Sequence, residues 1–188
     1  AAVADVGASA LQRRTDELGV PGFADYRDLL RDAPVDAVDI CLPHHLHRDA
    51  IVRSAESGRH ILCEKPLCLN LAEADRMIAA GRSAKRKLMY AEELCFAPKY
   101  VRLKQLLDSG ALGHPTLLKQ SEKHDGPHAA HFWDVNLSGG GVLLDMGLGG
   151  GLCYLSEEHY VLGRVGKYLL HDAMSVLPVT SEFLPVGP

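Results

Sequence analysis

Two stretches decide the fold: Val35-Asp36-Ala37-Val38-Asp39-Ile40-Cys41-Leu42-Pro43, and His60-Ile61-Leu62-Cys63-Glu64-Lys65-Pro66 seventeen residues after Pro43. Each is a short run, dense in apolar residues and closed by a proline, as a strand is and a helix is not. Between them Leu46, Ala50, Ile51 and Ala55 recur on one side of an amphipathic helix, and Gly58 offers the left-handed residue that ends one. Strand, helix and strand in this rhythm form a βαβ unit, whose strands run parallel. The apolar density of the first strand suits a parallel sheet covered on both faces.

Working outward, the rhythm continues on both sides. Downstream, Asn70-Leu71-Ala72-Glu73 has the capping-box spacing and predicts a helix that turns Ala74, Met77 and Ile78 toward the core. Leu88-Met89-Tyr90-Ala91 predicts the next strand. Upstream, an apolar run ends at Asp5, and a helix through Ala10, Leu11 and Leu18 stops at Gly19. A shorter helical turn is expected at Asp28-Leu29-Leu30. Pro98 opens a further helix carrying Tyr100, Leu103, Leu106 and Leu107 to near Gly110, and Thr116-Leu117-Leu118-Lys119-Gln120 reads as strand-like. Beyond Gly126 the chain turns rich in Gly, Pro and His. The fold class expected is therefore α/β with a doubly wound parallel sheet, which binds ligands at the carboxyl ends of its strands.

Composition narrows the function. The 188 residues suffice for one domain and part of another. With 20 basic against 24 acidic side chains the net charge is −4, which argues against a nucleic-acid or anionic-membrane surface. No apolar run approaches the roughly 20 residues that span a bilayer, and Ala1-Ala2-Val3-Ala4-Asp5 lacks a signal peptide's basic start, so a cytoplasmic location is expected. Cys41, Cys63, Cys68, Cys95 and Cys153 contain no C-x-x-C pair and read as small hydrophobes in a reducing compartment.

Three motifs in order, Asp39-Ile40-Cys41-Leu42-Pro43-His44-His45-Leu46-His47, Glu64-Lys65-Pro66 and Gly139-Gly140-Gly141-Val142-Leu143-Leu144-Asp145-Met146-Gly147, resemble the Gfo/Idh/MocA oxidoreductases, the family of glucose-fructose oxidoreductase and inositol dehydrogenase. The resemblance covers residues 1 to about 147. It implies a Rossmann domain over 1–95, incomplete at its N-terminus, and the start of an α+β substrate domain over 96–188. The implied activity is oxidation of a hydroxyl on a sugar, polyol or cyclitol, or the reverse, with NAD as cofactor and NADP left open. Lys65 is implied as the catalytic lysine, and Asp145 as the residue that orients the substrate. Physical reasoning supports the lysine, since an ammonium beside the reacting carbon can stabilise a developing alkoxide. Asp5 matches the carboxylate that accepts hydrogen bonds from the adenosine ribose, and would repel a 2′-phosphate. Leu42, Pro43, His44, His47, Glu64 and Glu92 are further candidate cofactor contacts. The expected partner is a small sugar or polyol, with no nucleic acid and no membrane, and a homo-oligomer is left open.

Two departures complicate the resemblance. The Gly-rich turn that should precede Asp5 is absent, which removes the pyrophosphate's helix N-terminus and predicts weak cofactor binding. The family's catalytic histidine, two residues after the last Gly of its motif, is replaced by Gly149, which predicts impaired turnover. From Leu148 onward the resemblance fades, and a truncated gene product or a frame disturbance near Gly147 is expected to account for that abrupt end; a non-catalytic sugar- or nucleotide-binding module, or an inert fragment, is the competing reading. The stretch His124-Asp125-Gly126-Pro127-His128-Ala129-Ala130-His131 invites a metal, but a loop fixes no ligand geometry and no metal is expected. The same loop is expected to line the substrate pocket, with Trp133 facing a sugar ring.

Overall fold

A computed structural model describes residues 1–116, 129–140 and 144–145. Strands β1 (Val3–Ala4), β2 (Gly22–Phe23), β3 (Ala37–Ile40), β4 (His60–Glu64) and β5 (Leu88–Ala91) alternate with helices α1 (Ala8–Leu18), α2 (Tyr26–Asp32), α3 (His47–Glu56) and α4 (Leu71–Ser83). Helices α5 (Pro98–Asp108) and α6 (Val135–Ser138) follow. Every strand pairing is parallel, as the βαβ rhythm requires.

The strands form two sheets, β1-β2 and β3-β4-β5, where a single sheet was expected. No hydrogen bonds join β1 to β3, yet Ala4 and Val38 both pack on the cluster of Leu29, Leu30 and Ala33 that α2 supplies. The pair β1-β2 has only two registered positions, Val3 with Gly22 and Ala4 with Phe23. Two residues carry no periodicity, so β2 leaves no mark in the sequence.

In the larger sheet, register places Val38, Ile61 and Leu88 in one row and Ile40, Cys63 and Tyr90 in the next. Strand side chains alternate between faces, so both rows point the same way. They meet α3 and α4 in a core whose centre is Ile51, Ala55, Cys63 and Met77. Each of Ile51 and Met77 is fully buried, worth about 1.5–3 kcal/mol apiece in apolar area removed from water. The opposite face is more open, with Ala37 and Asp39 exposed and Met89 49 % accessible. Among the described residues β3 is therefore covered on one face, not the two its apolar density suggested.

Local chemistry sets the helix boundaries. The Asn70 side chain accepts the Glu73 N–H at 3.0 Å, and the Glu73 carboxylate reaches back to the Leu69 N–H at 3.1 Å. Asp25 caps α2 through the Arg27 N–H, and Gly58 (φ 79°) takes the left-handed conformation just past α3. Pro98 occupies the first turn of α5, where its missing N–H costs nothing. The strand expected after Thr116, the histidines at 124 and 128, and residues 146–188, including Gly149, lie outside the described residues.

Candidate functional site

Because β3 and β4 are parallel neighbours, their carboxyl ends open on one rim. Past β3 the chain runs through Leu42 and Pro43 into a 3-10 turn, His44–Leu46, that leads directly into α3. Past β4 come Lys65 and Pro66, joined by a cis peptide bond. His47, fully buried at the start of α3, ties the two exits together: its Nδ1 lies 3.0 Å from the Pro66 carbonyl oxygen and its Nε2 2.7 Å from that of Leu42.

The third segment arrives from far along the chain. Asp134 caps α6 through the Asn136 N–H at 2.9 Å, and α6 ends at Gly139 with φ 82°. A Cβ on Gly139 would stand 2.8 Å from Leu144 Cδ2 and 2.8 Å from Leu69 Cδ2 at a positive φ that L side chains rarely adopt, so the position favours glycine. Asp145 lies beside Lys65. The ammonium Nζ donates to Asp145 Oδ1 at 3.0 Å and to the Asp145 carbonyl oxygen at 3.3 Å. Both side chains keep some solvent contact, at 20 % and 18 %. The Lys65 amide donates to the Glu64 carboxylate at 2.9 Å.

A cavity of about 330 Å³ lies at this rim, lined by Leu42, Pro43, His44, Glu64, Lys65 and Asp145. All six were singled out from sequence. Cys41, His131 and Phe132 complete the lining. Burial, with the Asp39 carboxylate next, pushes the Cys41 thiol up. His44 is 4 % exposed, and its Nδ1 lies 3.3 Å from the Ser138 carbonyl oxygen. Burial holds its imidazole below the ordinary value of 6.5.

Three of the candidate cofactor contacts are elsewhere. Asp5 is exposed past β1, and its Oδ1 accepts the Gly7 N–H at 2.7 Å, a loop-capping role. Glu92 is 5 % exposed and accepts the Tyr90 hydroxyl at 3.1 Å; burial, with the Glu92 charge next, drives the Tyr90 phenol well above its usual range. His47 stands behind the cavity wall. The loop before Asp134 does contribute to the cavity, but through His131 and Phe132, while Trp133 is 76 % exposed and outside the lining. Nothing in the local sequence ranks Phe132 over Trp133; the 3-10 turn over Ala130–Trp133 decides which ring faces in. Among the described residues no cluster of three metal-ligating side chains occurs, nor is any helix long and apolar enough to cross a membrane.

An ammonium, a carboxylate and the apolar Leu42–Pro43 wall share one cavity at the carboxyl ends of parallel strands, where open α/β sheets bind their ligands. Residues 1–92 match the oxidoreductase family Gfo/Idh/MocA with its NAD-binding Rossmann fold. A myo-inositol 2-dehydrogenase of Thermotoga maritima is 32 % identical over 146 residues, 77 % of this chain and 43 % of that protein. Inositol 2-dehydrogenase 1 of Saccharopolyspora erythraea is 38 % identical over 111 residues, 58 % of this chain and 32 % of the relative. Among solved structures, a dehydrogenase from Bordetella bronchiseptica superposes with a TM-score of 0.71 at 29 % identity, covering 81 % of this chain and 40 % of that one. The WlbA dehydrogenase of Bordetella pertussis, solved with NADH and UDP-GlcNAcA, gives 0.58 at 25 % identity over 60 % of this chain and 34 % of that one. The chain spans less than half the length of these relatives. The parallel α/β order of the strands has the same explanation as these matches: the chain belongs to the Gfo/Idh/MocA oxidoreductase family.

Proposed function

We propose that the site serves the NAD-dependent oxidation of a secondary hydroxyl on a sugar, polyol or cyclitol, or the reverse reduction. The observation that carries this reading is the Lys65–Asp145 pair, 3.0 Å apart in a cavity at the strand ends. Lys65 stabilises negative charge on the reacting oxygen, and Asp145 fixes the ammonium's direction and orients the substrate hydroxyl. A bound nicotinamide supplies the hydride acceptor. Leu42, Pro43, His44 and Glu64 would hold that ring, and His47 holds the Leu42 and Pro66 backbones in register. In this reading residues 1–95 form the cofactor half, and 96–188 begin the substrate half. Asp5 keeps one carboxylate oxygen free of partners among the described residues, and its charge favours NAD over NADP. The relatives named as inositol dehydrogenases support the polyol class.

The test is NADH titration by fluorescence, followed by turnover with a panel of inositols and sugars, for the unmodified chain and Lys65→Ala. The expected result is NADH binding retained by the variant with kcat lowered about 10²–10³-fold, the cost typical of losing one charge-stabilising donor. Turnover that survives Lys65→Ala moves the chemistry elsewhere, and binding of neither cofactor nor polyol favours an inert module.

A further inference from the structure

With Gly149 standing where the family carries its histidine, the proposed reaction needs another group to take the hydroxyl proton. The described cavity contains two imidazoles, His44 and His131, whose ring centroids lie 5.6 Å apart. They are not equivalent. His131 has no hydrogen-bond partner among the described residues. In His44, Nδ1 faces the Ser138 carbonyl oxygen at 3.3 Å, and a carbonyl only accepts, so the proton of the neutral ring belongs on Nδ1. Nε2, on the other side of the ring, is left with a free lone pair and no partner among the described residues.

We infer that His44 is the proton acceptor of this site, taking the substrate hydroxyl proton on Nε2 while Lys65 stabilises the oxygen. This rests on the dehydrogenase reading above. The step balances: the O–H bond breaks and its proton goes to Nε2, the carbon's hydride goes to the oxidised nicotinamide, and the oxygen closes a carbonyl. Three features equip His44 for it. The ring is 4 % exposed and lines the same cavity as Lys65 and Asp145, so water competes poorly for its lone pair. Phe132 and His131 pack edge-on against it, with centroids at 5.3 and 5.6 Å, and hold its plane. Its charge environment keeps it neutral and ready to accept. Burial is the main cause of its lowered value, with His47 (6.0 Å away at the start of α3) and His131 acting in the same direction, against the Ser138 carbonyl and the Asp145 carboxylate. Lys65 and Glu64, from the end of β4, are the remaining charged groups of the lining.

Two measurements on the whole chain test this. In the first, 15N NMR of the histidine rings, assigned by through-bond correlation, should show His44 at pH 7.5 as the neutral tautomer with Nδ1 protonated and Nε2 bare. The opposite tautomer, or an imidazolium, overturns the inference without reference to activity. In the second, kcat for the best polyol is followed from pH 5 to 9 in the unmodified chain and in His44→Gln. The unmodified chain should lose turnover as pH falls through the His44 pKa, below the ordinary 6.5. His44→Gln should abolish that limb and lower kcat at saturating cofactor by about 10²–10⁴-fold. Turnover that depends on Lys65 but survives His44→Gln sinks the proton acceptor alone. A chain that neither binds NADH nor turns over sinks the dehydrogenase reading along with it.

Discussion

The β3-β4-β5 region and the β1-β2 region share one strand direction and one alternation of elements, yet they are built to different depths. Helix α3 buries His47, Ala50, Ile51, Ser54 and Ala55, and α4 buries Ala74, Met77, Ile78 and Gly81. Helix α1 buries nothing, and its Leu18 is 58 % exposed. The difference lies in what each helix has to cover. Three strands offer two full rows of side chains to α3 and α4, whereas two strands of two residues offer α1 almost none. The cavity follows the packing: every residue that lines it lies past β3, and none comes from β1, β2 or α1. Well-packed strands fix the exits that carry Lys65 and His44.

The largest effect that could break this contrast is a core truncation. Met77→Ala should cost about 2–5 kcal/mol in urea unfolding, the range for a fully buried large side chain, while Leu18→Ala should stay within about 0.5 kcal/mol. Equal losses would show that the two regions carry the fold alike. Next comes Gly139→Ala. A methyl group 2.8 Å from Leu69 and Leu144 at positive φ should cost about 1–3 kcal/mol. Because the displaced turn also withdraws Asp145 from Lys65, kcat should fall as well. Stability lost with kcat intact would mean that the glycine turn packs the core without aiming the pair.

Smaller still is Asn70→Ala, which removes the acceptor for the Glu73 N–H and should cost about 0.5–2 kcal/mol by thermal unfolding. The smallest effect is a pH dependence. Since burial holds folded His44 below its ordinary 6.5, the unfolded chain binds the extra proton first as pH falls. The His44 contribution is thus fully present above about pH 6.5 and declines as pH drops toward the folded value. His44→Gln should flatten that part of the stability curve, and an unchanged slope would assign it to other groups.

Local signals were the legible ones. The Asn70–Glu73 box, Pro98 at a helix start and Gly58 past a helix end act through atoms a few residues apart, so their spacing predicts the observed contacts. β3, β4 and β5 were legible because their apolar runs are long enough to show a pattern. β2 was not, since two residues make no pattern. His44 and His47 looked alike in sequence, as neighbouring members of one motif, and the structure separates them. The onset of α3 turns His47 inward onto two backbone carbonyls and leaves His44 at the cavity wall.

The sequence by itself determined the parallel α/β order and the family, and it singled out Lys65 and Asp145 separately as candidates, since these rest on periodicity and motif order along the chain. Only the tertiary structure decided that the two meet at 3.0 Å across eighty residues, that Phe132 and not Trp133 faces the cavity, and that Asp5 caps a loop while Glu92 pairs with Tyr90. The physical reason is range. Backbone preference and capping are set within a turn or two of chain. Which side chains converge on one cavity depends on the crossing of distant elements, on a glycine turn closing against Leu69, and on which face of a short helix the core leaves exposed.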